Sequence, residues 1–260
     1  MLQRKSGALT IPHPLDGKTA LVTGASRGIG RAIARRLAHH GAFVIVHFNT
    51  AEADAASVVQ AITATGGQAA AARADLATPA GATLLADAAL ALLNGRNLDI
   101  LVNNAGISRR AEIQDVTPEQ FAQTLQVNLQ SPFFLIQRLL PHLNQGGRIV
   151  NVSSIGTRTA YPAMASYAPS KAGLEALTLL LAPQLGPRGI TVNAVRPGAT
   201  ATDMNAGARD PATAAATATT IALGRVGQAE DIAKVVAFLA SPDSGWITGQ
   251  CLDASGGQRL

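Results

Sequence analysis

Tyr167 and Lys171 form the pair whose residue types and spacing point most directly to chemistry. They lie four positions apart at the start of a predicted helix, so both side chains share one face. An ammonium group beside a phenol favours the phenolate and lowers its pKa, which makes a usable general acid or base near neutral pH. Ser154 follows a predicted strand and can hold a substrate oxygen beside the phenol. A solvated helix surface is the alternative interpretation of the Tyr/Lys pair.

A glycine-rich segment, residues 23–30, connects the first predicted strand to the first predicted helix. Gly24 permits a tight turn, Gly28 lets the backbone approach a pyrophosphate, and Gly30 lets the helix pack on the strand. The N-terminus of the helix offers free N–H groups to a phosphate. The spacing Gly-x-x-x-Gly-x-Gly is not that of a Walker loop, because no Gly-Lys-Ser/Thr follows. The segment predicts a dinucleotide site, with a turn that binds no ligand as the alternative.

Short apolar strands alternate with longer helices along the chain. Strands that are apolar on both faces and separated by helices indicate a parallel sheet covered on both sides. We predict an α/β fold: a single doubly wound Rossmann domain over residues 16–260, with a seven-stranded, mostly parallel sheet and helices on both faces, after an N-terminal tail of residues 1–15. The predicted strands are 18–23, 43–48, 68–74, 99–103, 148–153, 190–195 and 250–253, and the predicted helices are 28–40, 51–65, 78–93, 117–143 (bent at Pro132), 166–185 and 230–240.

Composition excludes several classes of protein. Apolar residues make up 47% and charged residues 14%, which excludes a disordered chain. No apolar run approaches the roughly 18 residues of a membrane-spanning helix, and the first residues do not have the pattern of a signal peptide. The single cysteine, Cys251, cannot make a disulfide or a Cys-rich metal site. The net charge is +5, but the basic residues form no tract. We therefore expect a cytoplasmic protein with no metal and no nucleic-acid or membrane partner.

A series of motifs in fixed order resembles the short-chain dehydrogenase/reductase family over residues 17–257. Together the motifs are highly specific. The chain is most similar to the 3-oxoacyl-acyl-carrier-protein reductase members. The motifs are Thr-Gly-x-x-x-Gly-x-Gly at 23–30, Asp75-Leu76, Asn-Asn-Ala-Gly at 103–106, Asn128 in Val-Asn-Leu, Ser154, Tyr167-x-x-x-Lys171, Pro197-Gly198, Thr202 and Gly256-Gly257.

The resemblance implies a role for each site residue. Tyr167 would donate a proton to the carbonyl oxygen, and Lys171 would lower the pKa of Tyr167 and bind the nicotinamide ribose. Ser154 would orient the carbonyl, and Asn128 would hold a water that relays protons. The implied NADP(H) contacts are Gly24, Ser26, Arg27, Gly28, Ile29, Gly30, Asn49, Asp75 (adenine), Leu76, Asn103 (adenosine ribose side), Ala105, Gly106, Tyr167, Lys171, Pro197, Gly198, Thr200 and Thr202 (carboxamide).

The end of the second predicted strand favours NADP(H) over NAD(H). An enzyme that prefers NAD usually places a carboxylate there, on the ribose hydroxyls, whereas this chain has Phe48. Arg27 can pair with the 2′-phosphate of NADP through a charge-assisted hydrogen bond. Asn49 and Thr50 can add neutral hydrogen bonds, with His47 nearby. A solvated loop arginine is the alternative for Arg27.

The predicted function is reduction of a ketone to a secondary alcohol with NADP(H), a 3-oxoacyl thioester being one candidate substrate. The alternatives are a dehydrogenase of a small alcohol, polyol or sugar, and a non-catalytic NADP sensor, which the intact Tyr/Lys pair disfavours. The resemblance also implies that residues 203–223 fold over the substrate as a helical flap. We expect the pocket entrance to be lined or flanked by Arg109, Arg110, Arg158, Tyr161 and Met164, although solvated loops remain an alternative for the arginines.

Two kinds of protein partner follow from the same resemblance. Arg188 matches a basic position that grips an acyl carrier protein, but residues 144–147 lack a second basic residue, so this partner is in doubt. The predicted helices 117–143 and 166–185 carry more apolar residues than one buried face needs, which predicts a homotetramer, or failing that a dimer. Two prolines depart from the family's pattern: Pro169 suits only a first helical turn, and Pro183 should shorten or kink its helix.

Overall fold

A computed structural model describes residues 13–260 and contains a seven-stranded sheet in the order β3-β2-β1-β4-β5-β6-β7. Each strand pairs with its neighbours in parallel. The predicted α/β fold is therefore confirmed. The strands are β1 Thr19–Val22, β2 Phe43–Phe48, β3 Gln68–Arg73, β4 Leu98–Asn103, β5 Leu143–Val152, β6 Thr191–Pro197 and β7 Cys251–Ala254.

Helices cover both faces of the sheet because its central strands are apolar on both sides. One buried cluster joins the sheet to the helices over 28–39, 52–63 and 229–240, and a second joins it to the helices over 81–93, 131–139 and 167–185. Ile33 and Leu85 are fully buried examples, one in each cluster. The helices are α1 Gly28–His39, α2 Glu52–Thr63, α3 Gly81–Leu93, α4 Pro118–Leu125, α5 Ser131–Leu139, α6 Tyr167–Leu185, α7 Pro211–Ala218 and α8 Ala229–Ala240.

The predicted helix over 117–143 is interrupted before the proline that was expected to bend it. A π-helical turn, Gln126–Gln130, separates α4 from α5, and Pro132 lies in the first turn of α5. Because the backbone remains helical from α4 into α5, Pro132 lacks an N–H that the preceding turn would otherwise accept, and the π turn lies directly before this break. Residues up to 143 do not continue the helix, since β5 begins at Leu143. The π turn places Asn128 in the interior.

Helix α6 tolerates both of its prolines. Pro169 lies in the first turn, as expected. Pro183 does not shorten the helix, which continues to Leu185. Pro183 removes one hydrogen bond to the carbonyl of Leu179, and both residues are exposed, so water can satisfy that carbonyl.

The predicted tail overlaps the domain at its last residues. Residues 1–12 lie outside the described part of the chain. Leu15 is only 1% exposed, and its N–H donates to the carbonyl of His40 at 2.8 Å. Leu15, which was assigned to the tail, therefore packs in the core of the domain. In the described range 13–260, no helix is long and apolar enough to cross a membrane.

Asp99 ties together the amino edge of the sheet, opposite the strand ends where ligands bind. Its carboxylate accepts hydrogen bonds from Thr19 N at 2.9 Å, from Lys18 Nζ at 3.1 Å and from Asn144 Nδ2 at 3.0 Å. Burial raises the pKa of Asp99, but these hydrogen bonds outweigh burial and hold the pKa below its usual value. Asp99 thus fastens β1, β4 and the start of β5 together.

Candidate active site

A cleft of about 1480 Å³ opens at the carboxyl edge of the sheet, where the loops after β1 to β6 meet residues 203–220. This segment contains α7 and lies along the cleft, as expected for a flap. The structure brings nearly all the predicted site residues to this cleft; Asn103 and Asn128 are outside its lining. The predicted residues that line it are Gly24, Ser26, Arg27, Gly28, Ile29, Gly30, Asn49, Asp75, Leu76, Ala105, Gly106, Ser154, Tyr167, Lys171, Pro197, Gly198, Thr200 and Thr202.

The glycine loop has a backbone that only glycine fits. Gly24 has a φ of +62°, in the left-handed region that favours glycine. A Cβ on Gly30 would lie 2.2 Å from the carbonyl oxygen of Gly24. Arg27 precedes α1, and within residues 13–260 no side chain caps this helix and no acid lies in its first turn. The first N–H groups of α1 therefore suit an anionic phosphate.

His47 holds the glycine loop from below. Its Nδ1 accepts a hydrogen bond from Gly24 N–H at 2.9 Å, and its Nε2 donates to the carbonyl of Ala74 at 3.1 Å. The carbonyl can only accept, so the proton lies on Nε2 and the ring is neutral. Burial lowers the pKa of His47 to about 4, against the weaker opposing effects of Ala74 and Asp75. His47 lies near the adenosine end of the cleft, as expected, but both of its ring nitrogens are already hydrogen-bonded within the protein.

Asn104 fixes the loop from the other side. Its Nδ2 donates to the carbonyls of Thr23 at 2.8 Å and Gly24 at 3.1 Å. Thr23 Oγ1 in turn accepts from the backbone N–H groups of Asn104 and Ala105, each at 2.9 Å. Sequence reasoning gave neither His47 nor Asn104 this role. The signal for His47 was a single polar residue near the end of the otherwise apolar strand β2.

The adenosine end of the cleft has the features expected for a 2′-phosphate. Phe48 is only 6% exposed and ends β2, the position at which a carboxylate would bind the ribose hydroxyls of NAD. Arg27 is exposed and lines the cleft beside it. Asn49 Nδ2 donates to Asp75 Oδ1 at 3.0 Å, which joins the loops after β2 and β3.

Lys171 is buried at the base of the cleft, at the end opposite the adenosine end. Its Nζ donates to the carbonyl of Val152 at 2.8 Å and lies 5.9 Å from the centre of the Tyr167 ring. Burial lowers the pKa of Lys171 to about 8. The ammonium form therefore still predominates at neutral pH, and it lies close enough to stabilise a negative charge on the phenol.

The pKa of Tyr167 is raised to about 12, opposite to the lowering expected from Lys171. Burial is the main cause, and a hydrogen bond with Ser154 opposes it only in part. Lys171 keeps its charge, but its Nζ donates to the Val152 carbonyl and not to the phenol, so burial decides the direction of the shift. Tyr167 and Ser154 nevertheless lie together in the cleft, as their spacing predicted.

The two predicted asparagines outside the cleft lining stabilise its walls. Asn128 is fully buried; its Oδ1 accepts from Ile107 N–H at 2.9 Å, and its Nδ2 donates to the Ile107 carbonyl and to Ser170 Oγ, each at 3.0 Å. Asn103 is also buried, and its Nδ2 donates to Asn151 Oδ1 at 2.8 Å. The Asn103 side chain thus does not reach the adenosine side of the cleft, in contrast to the expectation.

A charged cluster lies behind Ser154. Glu175 Oε1 accepts from Ser153 Oγ at 2.6 Å and from Thr157 Oγ1 at 2.8 Å, and both Glu175 oxygens accept from Arg196. Burial raises the pKa of Glu175, but these hydrogen bonds outweigh it and hold the pKa below its ordinary value. Glu175 is one turn after Lys171 on α6 and so fixes the Ser154 loop to the same helix.

The substrate end is lined by four of the five residues expected there. Arg109, Arg110, Tyr161 and Met164 line the cleft. Arg158 does not line it. Its guanidinium instead pairs with Asp253 and donates to carbonyls of the C-terminal segment, because the loop after Ser154 turns towards β7.

Comparison with known proteins places this geometry in a family. The model of the family described as "Enoyl-(Acyl carrier protein) reductase" matches residues 24–259. An uncharacterised oxidoreductase of Methylorubrum extorquens is 44% identical over 247 residues, covering 94% of this chain and 99% of that protein. A hydroxynaphthalene reductase-like protein of Metarhizium majus is 41% identical over 260 residues, covering 95% of this chain and 96% of that protein.

Solved structures agree with the sequence comparisons. The angucycline C-6 ketoreductase LanV, crystallised with NADP, superposes with a TM-score of 0.91 at 45% identity, covering 95% of this chain and 97% of that one. The promiscuous reductase LugOII, which catalyses keto-reduction at C1 during lugdunomycin biosynthesis, also gives 0.91 at 45% identity, covering 95% of this chain and all of that one. With its glycine loop, its Ser154, Tyr167 and Lys171 in one cleft and these relatives, the chain belongs to the short-chain dehydrogenase/reductase family of oxidoreductases.

Proposed function

We propose that the chain is an NADP(H)-dependent reductase that converts a ketone to a secondary alcohol. The observation that carries the proposal is the placement of Ser154, Tyr167 and Lys171 in the same cleft as the glycine loop. The NADP-bound ketoreductases among its structural relatives support the same reaction. The polyol or sugar dehydrogenase considered above would use the same residues in reverse.

The cleft suits NADP(H) in its shape and its charge. The first turn of α1 offers N–H groups to the pyrophosphate, and Gly30 lets this turn pack closely against the Gly24 carbonyl, where a side chain would clash. Arg27 is placed to pair with the 2′-phosphate, and the buried Phe48 leaves no carboxylate to repel that phosphate. When bound, the dinucleotide would supply a hydride to the carbonyl carbon.

Tyr167 provides the proton in this proposal. Its raised pKa of about 12 keeps the phenol protonated at neutral pH, which suits a proton donor in reduction. As the carbonyl oxygen gains negative charge, Tyr167 Oη donates its proton, and the product is the neutral alcohol. Ser154 holds the carbonyl oxygen beside the phenol by a hydrogen bond.

Lys171 stabilises the phenolate that remains on Tyr167. Its ammonium group is charged at neutral pH and lies 5.9 Å from the ring centre. Because both groups are buried, water screens the attraction between the ammonium and the phenolate only weakly. Asn128 keeps the loop at Ile107 in place with paired hydrogen bonds, and its proposed part in a water relay to Lys171 rests on the family resemblance.

The test is NADPH oxidation by the purified chain with a panel of bicyclic ketones such as 2-tetralone. Tyr167→Phe should lower kcat by at least about 100-fold, the scale of a lost general acid. NADPH binding, followed by fluorescence, should persist in this variant. Near-normal turnover by Tyr167→Phe would exclude Tyr167 as the proton donor.

Phe238→Leu is a matched control, because Phe238 is a partly exposed aromatic residue of α8 outside the cleft lining. It should leave kcat within about twofold, as expected for surface substitutions. A wild-type chain that oxidises NADPH with none of the ketones would count against the proposed reaction itself.

A 3-oxoacyl thioester on an acyl carrier protein is the second candidate substrate; the description of the matching family model names the acyl carrier protein, but with an enoyl group rather than a 3-oxoacyl group. Arg188, the residue expected to grip the carrier, instead donates to the carbonyls of Leu140 and Leu143. This use of its guanidinium favours a free ketone. Comparing kcat/KM for an acetoacetyl thioester and for 2-tetralone would distinguish the two substrates.

A further inference from the structure

Three arginines line the substrate end of the cleft. Arg109 and Arg110 belong to the loop after β4, and Arg259 belongs to the C-terminal segment. All three side chains are exposed to the cleft and its mouth. Sequence reasoning pointed to the first two but not to Arg259, because only the fold brings the end of the chain to this site.

Neutral groups hold these arginines, and within residues 13–260 no acidic side chain forms an ion pair with them. Arg109 Nη2 donates to Gln123 Oε1 at 2.9 Å, and Arg110 Nη2 donates to Asn205 Oδ1 at 3.5 Å. The Arg259 guanidinium lies 4.8 Å from the centre of the Tyr161 ring. An amide or an aromatic face orients a guanidinium without cancelling its charge.

The position of Arg259 is built into the fold. Arg158 donates to the Arg259 carbonyl at 3.1 Å and to the Gln258 carbonyl at 3.0 Å, and it pairs with Asp253. Arg259 N–H donates to the Thr220 carbonyl at 3.0 Å. Arg259 also has a φ of +48°, which a non-glycine residue adopts only where its surroundings impose it.

The acids that line the cleft do not neutralise this end. Asp75 lies at the adenosine end, where it accepts from Asn49. Asp203 lies in the flap and pairs with Arg209. A cleft lined by charges of one sign concentrates ligands of the opposite sign, and a guanidinium binds a carboxylate or a phenolate with charge-assisted hydrogen bonds.

We propose that the substrate of this enzyme is a ketone that carries an anionic oxygen group, which Arg259, Arg109 and Arg110 bind while Tyr167 faces the carbonyl. The inference rests on the proposed ketone reduction and names the class of ketone. A carboxylate and an ionised phenol share this chemistry, and the test separates them.

The experiment compares kcat/KM for matched ketones with NADPH: a tetralone carboxylate against its methyl ester, and an acidic hydroxytetralone against its methyl ether. We expect at least one anion to be preferred over its neutral partner by roughly tenfold, the ratio that corresponds to about 1.4 kcal/mol. Whichever pair shows the preference identifies the anionic group. The preference should shrink as salt concentration rises.

Two variants assign the preference to the arginines. Arg259→Gln and the double variant Arg109→Gln/Arg110→Gln should each lower kcat/KM for the anion severalfold more than they lower kcat/KM for its neutral partner. Arg35→Gln is the control, because Arg35 is an exposed arginine of α1 outside the cleft lining. It should keep the full preference.

Equal kcat/KM within both pairs, or a preference that survives both arginine variants, would overturn the inference and leave ketone reduction intact. If no ketone is turned over, the proposed function fails. Calorimetry then measures the affinity of the NADPH-loaded protein for each ketone of the same pairs. Tighter binding of an anion than of its neutral partner, with this difference lost in Arg259→Gln, supports the inferred preference for an anion. Equal affinities refute that preference.

Discussion

The substitution His47→Leu removes both hydrogen bonds of the His47 ring, one of which holds the glycine loop, and keeps a side chain of similar volume. It leaves Gly24 N–H and the Ala74 carbonyl without their buried partner. A buried polar group without a partner costs roughly 1–3 kcal/mol. We expect the free energy of unfolding at pH 7 to fall by about 3 kcal/mol and NADPH affinity to weaken, because Gly24 is no longer fixed.

The dependence on pH distinguishes this role from simple packing. An exposed histidine has a pKa of 6.5, whereas burial in the fold lowers the pKa of His47 to about 4. A folded-state pKa below the unfolded one means that the unfolded chain binds the proton first, so the stability from His47 is lost as pH falls from 6.5 towards 4. The full loss is about 3 kcal/mol, of which about 2 kcal/mol is reached at about pH 5.

The His47→Leu variant has no imidazole at this position, so it does not lose this part of its stability as pH falls. The difference in stability between wild type and His47→Leu should therefore narrow by about 2 kcal/mol between about pH 7 and about pH 5. Urea unfolding followed by circular dichroism, at one protein concentration, measures it. His39→Gln, at an exposed histidine of α1, serves as the control and should follow the wild type. A difference that stays constant with pH, or a variant as stable as the wild type, would refute the reasoning.

Three further predictions concern cofactor choice, pH and assembly. Arg27→Ala should weaken NADPH binding by roughly 1.5–3 kcal/mol and leave NADH nearly unchanged, with Arg35→Ala as the control; equal or better use of NADH by the wild type would contradict the assignment. The value of kcat/KM for reduction should fall above about pH 8 as Lys171 loses its proton, and a profile flat to high pH would count against this role. Phe134 and Leu180 are 46% and 63% exposed and lie on the helices expected to form a homotetramer. Light scattering should show a tetramer, and the double variant Phe134→Ser/Leu180→Ser should weaken its assembly. Monomers alone at micromolar concentration would disprove the predicted assembly.

The pattern of apolar residues predicted the sheet, because a buried parallel strand must be apolar on both faces wherever it lies in the chain. Strand β2 matches its predicted range, Phe43–Phe48. The π turn at Gln126–Gln130 was beyond such reasoning, since its letters suit an α-helix and the turn depends on the buried contacts of Asn128. The local pattern of apolar residues carries no information about those contacts.

In the site, too, residue types and spacing could be used for prediction, whereas properties that depend on the whole fold could not. Ser154, Tyr167 and Lys171 could be predicted because their types and spacing carry the chemistry, and the strand ends bring them together. The raised pKa of Tyr167 could not, because it depends on how completely the phenol is buried. Arg259 could not either, since its place over Tyr161 is set by the route of the whole C-terminal segment.

The position of Asp99 separates what holds this protein together from what it does. Asp99 fastens β1, β4 and β5 at the amino edge of the sheet, and the cleft lies at the carboxyl edge. The length of the strands separates the two edges, so a substitution that loosens one edge affects the other only through the rigid core. The protein can therefore accumulate changes in its cleft, and with them new substrates, while the Asp99 edge keeps it folded. Such a division leaves the enzyme open to evolution and to engineering of its specificity.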